Sequence, residues 1–133
     1  MSRVFADTSA LMALLVPSDA AHGRAKRAFT RLRAQGADLV TTSYVLVETY
    51  ALLGSRFGLE AIRAFREDFG PLLKVVWVGS ELHEKGLDLL VTAGRKRLSL
   101  VDAVSFLTIR DQEVEAVFAC DRHFADGRFP LVG

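Results

Sequence analysis

Short apolar, strand-like runs alternate with helical repeats from one end of this chain to the other, and that alternation leaves few folds open. Strand, helix and strand in succession argue for an α/β architecture, a mostly parallel sheet with crossover helices. Arg3 to Ala6 reads as a first strand, followed by a helix from about Ser9 to Val16 that Pro17 stops. Ala21, Ala25, Ala28, Phe29 and Leu32 make a helical stripe, with Gly36 as its C-terminal stop. Asp38 to Thr41 is a short second strand. Ser43 then caps a helix that is apolar nearly all round, which predicts burial on every side. Leu59, Ile62, Phe65 and Phe69 continue the helical spacing as far as Gly70-Pro71. Leu73 to Val78, carrying the only tryptophan, Trp77, is a third strand. Ser80 opens a helix with Leu82, Leu89, Leu90 and Ala93 inward, ending in the basic run Arg95-Lys96-Arg97 that suits a helix C-terminus. Ser99 begins another helix, which runs to about Gln112. Ala116 to Ala119 is strand four, and Arg128 to Val132 a short strand whose Pro130 belongs at a sheet edge.

With 133 residues, half of them hydrophobic and a quarter charged, the chain is expected to form one globular domain over residues 1–133. Its single cysteine, Cys120, excludes an internal disulfide and a cysteine-based zinc cluster. No signal peptide is legible at the N-terminus, and the apolar stretch from Ala10 to Val16 is far too short for a membrane span. The expected location is the cytoplasm, with no membrane partner.

Four acids stand in places where carboxylates are costly. Asp7 ends the run Val4-Phe5-Ala6, and Asp121 follows Val117-Phe118-Ala119-Cys120. Glu48 is the only charge between Ser43 and Leu53, and Asp102 the only one between Leu98 and Ile109. A carboxylate beside a core must be protonated, paired or bound to a cation, and no lysine or arginine lies inside these stretches. Asp7 and Asp121 fall at carboxyl ends of expected strands, where ligands bind in open parallel sheets. The oxygen-only donor set favours Mg²⁺ or Mn²⁺ over zinc. Thr8 and Ser9 add hydroxyls beside Asp7.

Each acid also has a plainer reading. Asp7 suits a helix N-cap, Ser99 and Asp102 match a capping box, and Asp121 suits a turn. Only Glu48, inside its helix, caps nothing; the joint occurrence of the four is what points to a site. With them set aside, 17 basic residues stand against 12 acidic ones, an exterior suited to a polyanion held over metal. Arg24, Arg27 and Arg31 share a helix face that reads as solvated or as a phosphate contact, and Arg122, next to Asp121, is the leading candidate to contact a polyanion. His22, His83 and His123 lack ligand spacing, and Cys120 reads as a small hydrophobe.

Taken together, Val4-Phe5-Ala6-Asp7-Thr8-Ser9-Ala10-Leu11, Tyr44-Val45-Leu46-Val47-Glu48, Leu98-Ser99-Leu100-Val101-Asp102-Ala103 and Cys120-Asp121-Arg122-His123-Phe124 resemble the PIN-domain family over nearly the whole chain, especially the small ribonuclease toxins of toxin–antitoxin pairs. The resemblance implies a five-stranded parallel sheet flanked by helices in three layers. It also implies a metal-dependent endoribonuclease in which Asp7, Glu48, Asp102 and Asp121 are the catalytic, metal-holding quartet for Mg²⁺ or Mn²⁺. Thr8 or Ser9 would supply the first-motif hydroxyl, and Ser99 a supporting one. RNA, a small antitoxin protein and a homodimer mate are the implied partners. Many relatives have threonine or serine where Cys120 stands, and a further acid where His123 stands. Two other classes remain as alternatives at this point. One is a catalytically silent binding module. The other is a receiver-like phosphoryl acceptor, which this chain fits less well because it lacks an adjacent acid pair early on and a lysine after a late strand.

Overall fold

The computed structural model describes residues 2–94, 96–120 and 131–132. In chain order the strands are β1 (Arg3–Ala6), β2 (Asp38–Thr42), β3 (Leu73–Val76), β4 (Ala116–Phe118) and the two-residue β5 (Leu131–Val132). The helices are α1 (Thr8–Leu15), α2 (His22–Ala34), α3 (Ser43–Phe57), α4 (Leu59–Asp68), α5 (Ser80–Ala93) and α6 (Leu100–Asp111), with a 3-10 turn at Gly70–Leu72. All strand pairs are parallel, in the order β3-β2-β1-β4-β5.

Burial along each strand follows from its place in that order. Central β1 buries Val4, Phe5 and Ala6 in succession, as a parallel strand covered on both faces must. β3 has β2 as its sole described partner and buries no residue fully. The chain steps from β1 to β2 to β3 in one direction, then returns past β1 to β4. Right-handed crossovers set the helices before and after β3 on opposite faces of the sheet. The core agrees. Leu39 of β2 joins the main apolar cluster with Phe5, Leu11, Val45, Phe65 and Phe118. Its neighbour Val40, on the other face, is buried outside that cluster, as are Ala103, Val104 and Leu107 of α6, while Ile109 of α6 joins the main cluster together with both faces of β1.

Several element boundaries differ from the sequence expectation, each for a local reason. The N-cap of α3 is Thr42, whose hydroxyl accepts from Val45 N–H, so β2 runs straight into the helix. Ser43, no longer the cap, ties two strands together instead. Its Oγ accepts from the Val78 N–H at 2.9 Å, joining the ends of β2 and β3. The helical spacing that looked continuous through Leu59 is broken at Gly58, whose φ of 85° is open to glycine and strained for other residues. Nor is α3 buried all round. Val45, Thr49 and Leu53 face inward, while Val47 is 67% exposed. The third strand stops at Val76 and leaves Trp77 exposed. Along α5 only Gly86 is fully buried, Ala93 is exposed, and the helix ends before Lys96 and Arg97. Arg128, Pro130, Asp121, Arg122, His123 and Arg95 lie outside the described residues.

Candidate active site

Strand order reverses between β1 and β4, since β1 connects to β2 on one side while β4 joins it on the other. That reversal opens a crevice at the carboxyl ends, where parallel sheets bind ligands. A cleft of about 460 Å³ lies there, and Asp7, Glu48 and Asp102 all line it, with Thr8, Ser9, Ser99 and Cys120.

Asp7 enters the cleft because β1 ends at Ala6 and α1 starts at Thr8, leaving Asp7 as the N-cap. Its N–H donates to the Phe118 carbonyl at 3.0 Å, which fixes the residue against β4. Ser9 holds the side chain through two donors, its N–H at 3.2 Å and its Oγ at 2.8 Å, both to Oδ2. The same Ser9 Oγ accepts from the Cys120 N–H at 2.8 Å, so one hydroxyl binds Asp7 to the end of β4. Asp7 is almost fully buried, and its carboxyl is pushed up to about 6. Loss of hydration is the main cause, the Ser9 hydrogen bonds oppose it, and the charge of Asp102 adds to it.

Asp102 reaches the cleft from the opposite face of the sheet, in the first turn of α6. Ser99 N–H donates to Asp102 Oδ2 at 3.1 Å, and Asp102 N–H donates to Ser99 Oγ at 3.0 Å. The capping box read from the sequence is thus real, and it holds the carboxylate at the cleft wall. Glu48 arrives from α3, half-buried, with the buried Thr49 beside it close to Thr8. Asp121 and Arg122, the fourth acid and its basic neighbour, lie outside the described residues.

Sequence reasoning passed over two further polar lining residues, Asp19 and Arg56, while Arg24, read there as a solvated or phosphate-contacting arginine, also lines the cleft. Asp19 carries a turn signature, and its Oδ1 accepts from the Ala21 N–H at 2.8 Å just ahead of α2. Arg56 shares the Glu48 helix two turns on, so helical spacing could have flagged it. Burial pushes the Cys120 thiol up, consistent with a packed hydrophobe and not a nucleophile. His22 binds the Ala13 carbonyl and His83 pairs with Tyr44, both away from the cleft lining.

These side chains fit a hard divalent cation. The donors are oxygens, one carboxyl is raised by burial and by a like charge, and a cation would relieve both effects. Among the described residues no group of three or more His, Cys, Asp or Glu side chains is close enough to hold a metal ion.

Comparison with known proteins agrees with this geometry. The chain is 32% identical over 127 residues to the 23S rRNA-specific endonuclease VapC20 of Mycobacterium tuberculosis, covering 95% of each chain. The crystal structure of that protein, described as a sarcin-ricin loop cleaving toxin, superimposes with a TM-score of 0.80 at 33% identity and 95% coverage of both chains. FitAcB from Neisseria gonorrhoeae shares the fold at 12% identity, with a TM-score of 0.70 and coverage of 98% of this chain and 96% of that one. The PIN domain family model matches residues 4–130. With an acidic cleft at the switch point of a parallel sheet and a family match over nearly its whole length, this chain belongs to the PIN-domain family.

Proposed function

We propose that the chain is a Mg²⁺- or Mn²⁺-dependent endoribonuclease, one catalytic domain over residues 1–133, and the toxin of a toxin–antitoxin pair. The observation that carries the reading is the shared cleft: Asp7 and Asp102, coming from opposite faces of the sheet, line it together with Glu48. Similarity to a 23S rRNA-specific endonuclease supports RNA as substrate and makes 23S rRNA the first one to test. A cytoplasmic homodimer held in check by a small antitoxin is the assembly that fits this class.

Asp7 and Asp102 would hold the metal ion, with Glu48 and Asp121 completing its surroundings. A bound ion of this kind supplies an acidified water and offsets charge on the phosphorane and leaving oxygen. The protein's own part is positioning. Ser9 fixes the Asp7 carboxylate against β4, and the Ser99 box fixes Asp102. Water, not the ribose 2′-hydroxyl, would attack, leaving 5′-phosphate and 3′-hydroxyl ends. Purified protein incubated with ribosomal RNA should cleave only when Mg²⁺ or Mn²⁺ is added. Asp7→Asn and Asp102→Asn should each lower the rate at least a hundredfold with the fold intact. Cleavage at near-wild-type rate by both variants, after exclusion of contaminating ribonuclease, would refute the mechanism.

A further inference from the structure

The acidic cleft repels the phosphates that it must admit, so cations at its rim have to offset that repulsion. Two arginines line its walls: Arg24 in the first turn of α2, and Arg56 near the C-terminus of α3. Both are exposed. Among the described residues the ion pairs are Arg63–Glu60, Lys74–Asp38 and Lys85–Glu81, so neither rim arginine is neutralised by one.

α2 extends this charge away from the cleft. It carries Arg24, Lys26, Arg27, Arg31 and Arg33 with no acidic residue, and none of them joins an ion pair among the described residues. Arg24, Arg27 and Arg31 follow at helical spacing, spanning roughly 10 Å along the axis. Like charges at such spacings destabilise a helix unless something anionic takes them. Lys26, Arg27, Thr30, Arg31 and Ala34 surround a nearly flat, open patch on the same helix. The inward face of α2, by contrast, is built from Ala25, Ala28 and Leu32. The basic face is therefore set outward by the core and joins the cleft at Arg24. That continuity favours a polyanionic strand over a separate docking partner.

We propose that the RNA strand crosses the acidic cleft between Arg56 and Arg24 and continues along α2, where Arg27 and Arg31 hold phosphates beyond the scissile one. This rests on the ribonuclease reading, but its test does not need turnover. Binding of a synthetic single-stranded RNA is measured across a salt series, with Mg²⁺ present, in an Asp7→Asn background. Each phosphate contact to a single strand contributes about 0.7 to the slope of log affinity against log salt. Combined Arg24→Ala, Arg27→Ala and Arg31→Ala should flatten that slope by about 2 and weaken binding. The matching triple lysine variant should restore most of the slope, and Arg56→Ala alone should flatten it by about 0.7. Arg63→Ala, on α4 away from the cleft, should leave it unchanged. An unaltered slope in the triple alanine variant overturns the proposal, as does an equal change in Arg63→Ala. Loss of binding to an acidic peptide, with RNA binding and its slope unaffected, would overturn it in favour of a protein partner. RNA binding with these slopes by a wild-type protein that never cleaves would refute the ribonuclease reading while leaving the path in place. Cleavage with unaltered slopes would do the reverse.

Discussion

At Asp7 a single carboxylate caps α1 and faces the cleft, and its environment sets a clear pH dependence. Its folded value of about 6 lies above the ordinary 3.8, so the native protein holds a proton there that the unfolded chain has already lost. The metal-free protein should therefore be most stable, as regards this group, below about pH 4. It should lose that contribution as pH rises through 6, by about 3 kcal/mol at most. Asparagine keeps the cap, because it too accepts from the Ser9 N–H, and carries no charge. Asp7→Asn should accordingly raise the melting temperature of metal-free protein at pH 7.5 and change it little at pH 4. Thermal melts at the two pH values check this. A variant no more stable than wild type at neutral pH would mean that the carboxylate is hydrated in the folded state.

Among the elements, the pairing of α5 with α6 is the contact that a single methyl group can test. A Cβ built at Gly86 would sit 2.6 Å from Val104 Cγ2 and 3.3 Å from Leu100 Cδ1. Val104 is fully buried and β-branched, with essentially one rotamer in a helix, so it cannot swing aside. Alanine gains about 1 kcal/mol of helix propensity over glycine, while overpacking costs about 1–3 kcal/mol. Clash should win. Gly86→Ala should lower the melting temperature by several degrees, and because α6 carries Asp102 it should also reduce metal affinity. A higher melting temperature would show that the two helices can separate at no cost. The helix periods were legible in the sequence, yet the α5 glycine was not flagged. Its meaning lies in the residue opposite, which no local pattern contains.

For the whole molecule, a ligand that binds only the folded state stabilises it by mass action, about 2.7 kcal/mol at one hundred times its dissociation constant. Mn²⁺ or Mg²⁺ should therefore raise the melting temperature of the wild-type protein at pH 7.5. The shift should shrink below pH 6, where Asp7 takes up a proton and competes with the ion. Asp102→Asn should lose most of it. An equal shift in Asp102→Asn would place the ion elsewhere. No helix among the described residues is long and apolar enough to cross a membrane.

Local pattern was enough for the α/β class, the positions of β1 to β4, and the acids that do not belong in apolar segments. Alternation and burial cost are local properties, so residues such as Asp7 and Glu48 announce themselves without a structure. The same local signals misplaced the cap of α3, ran α3 and α4 together across Gly58, and buried Val47. Which threonine or serine caps a helix depends on where the preceding strand ends. How much of a helix is covered depends on its neighbours. It took the assembled fold to show that Asp7, on one side of the sheet, faces Asp102 from the other, and that Arg24 and Arg56 share their cleft. That meeting requires strand order to reverse between β1 and β4, a consequence of crossover direction across the whole sheet that no stretch of residues encodes alone.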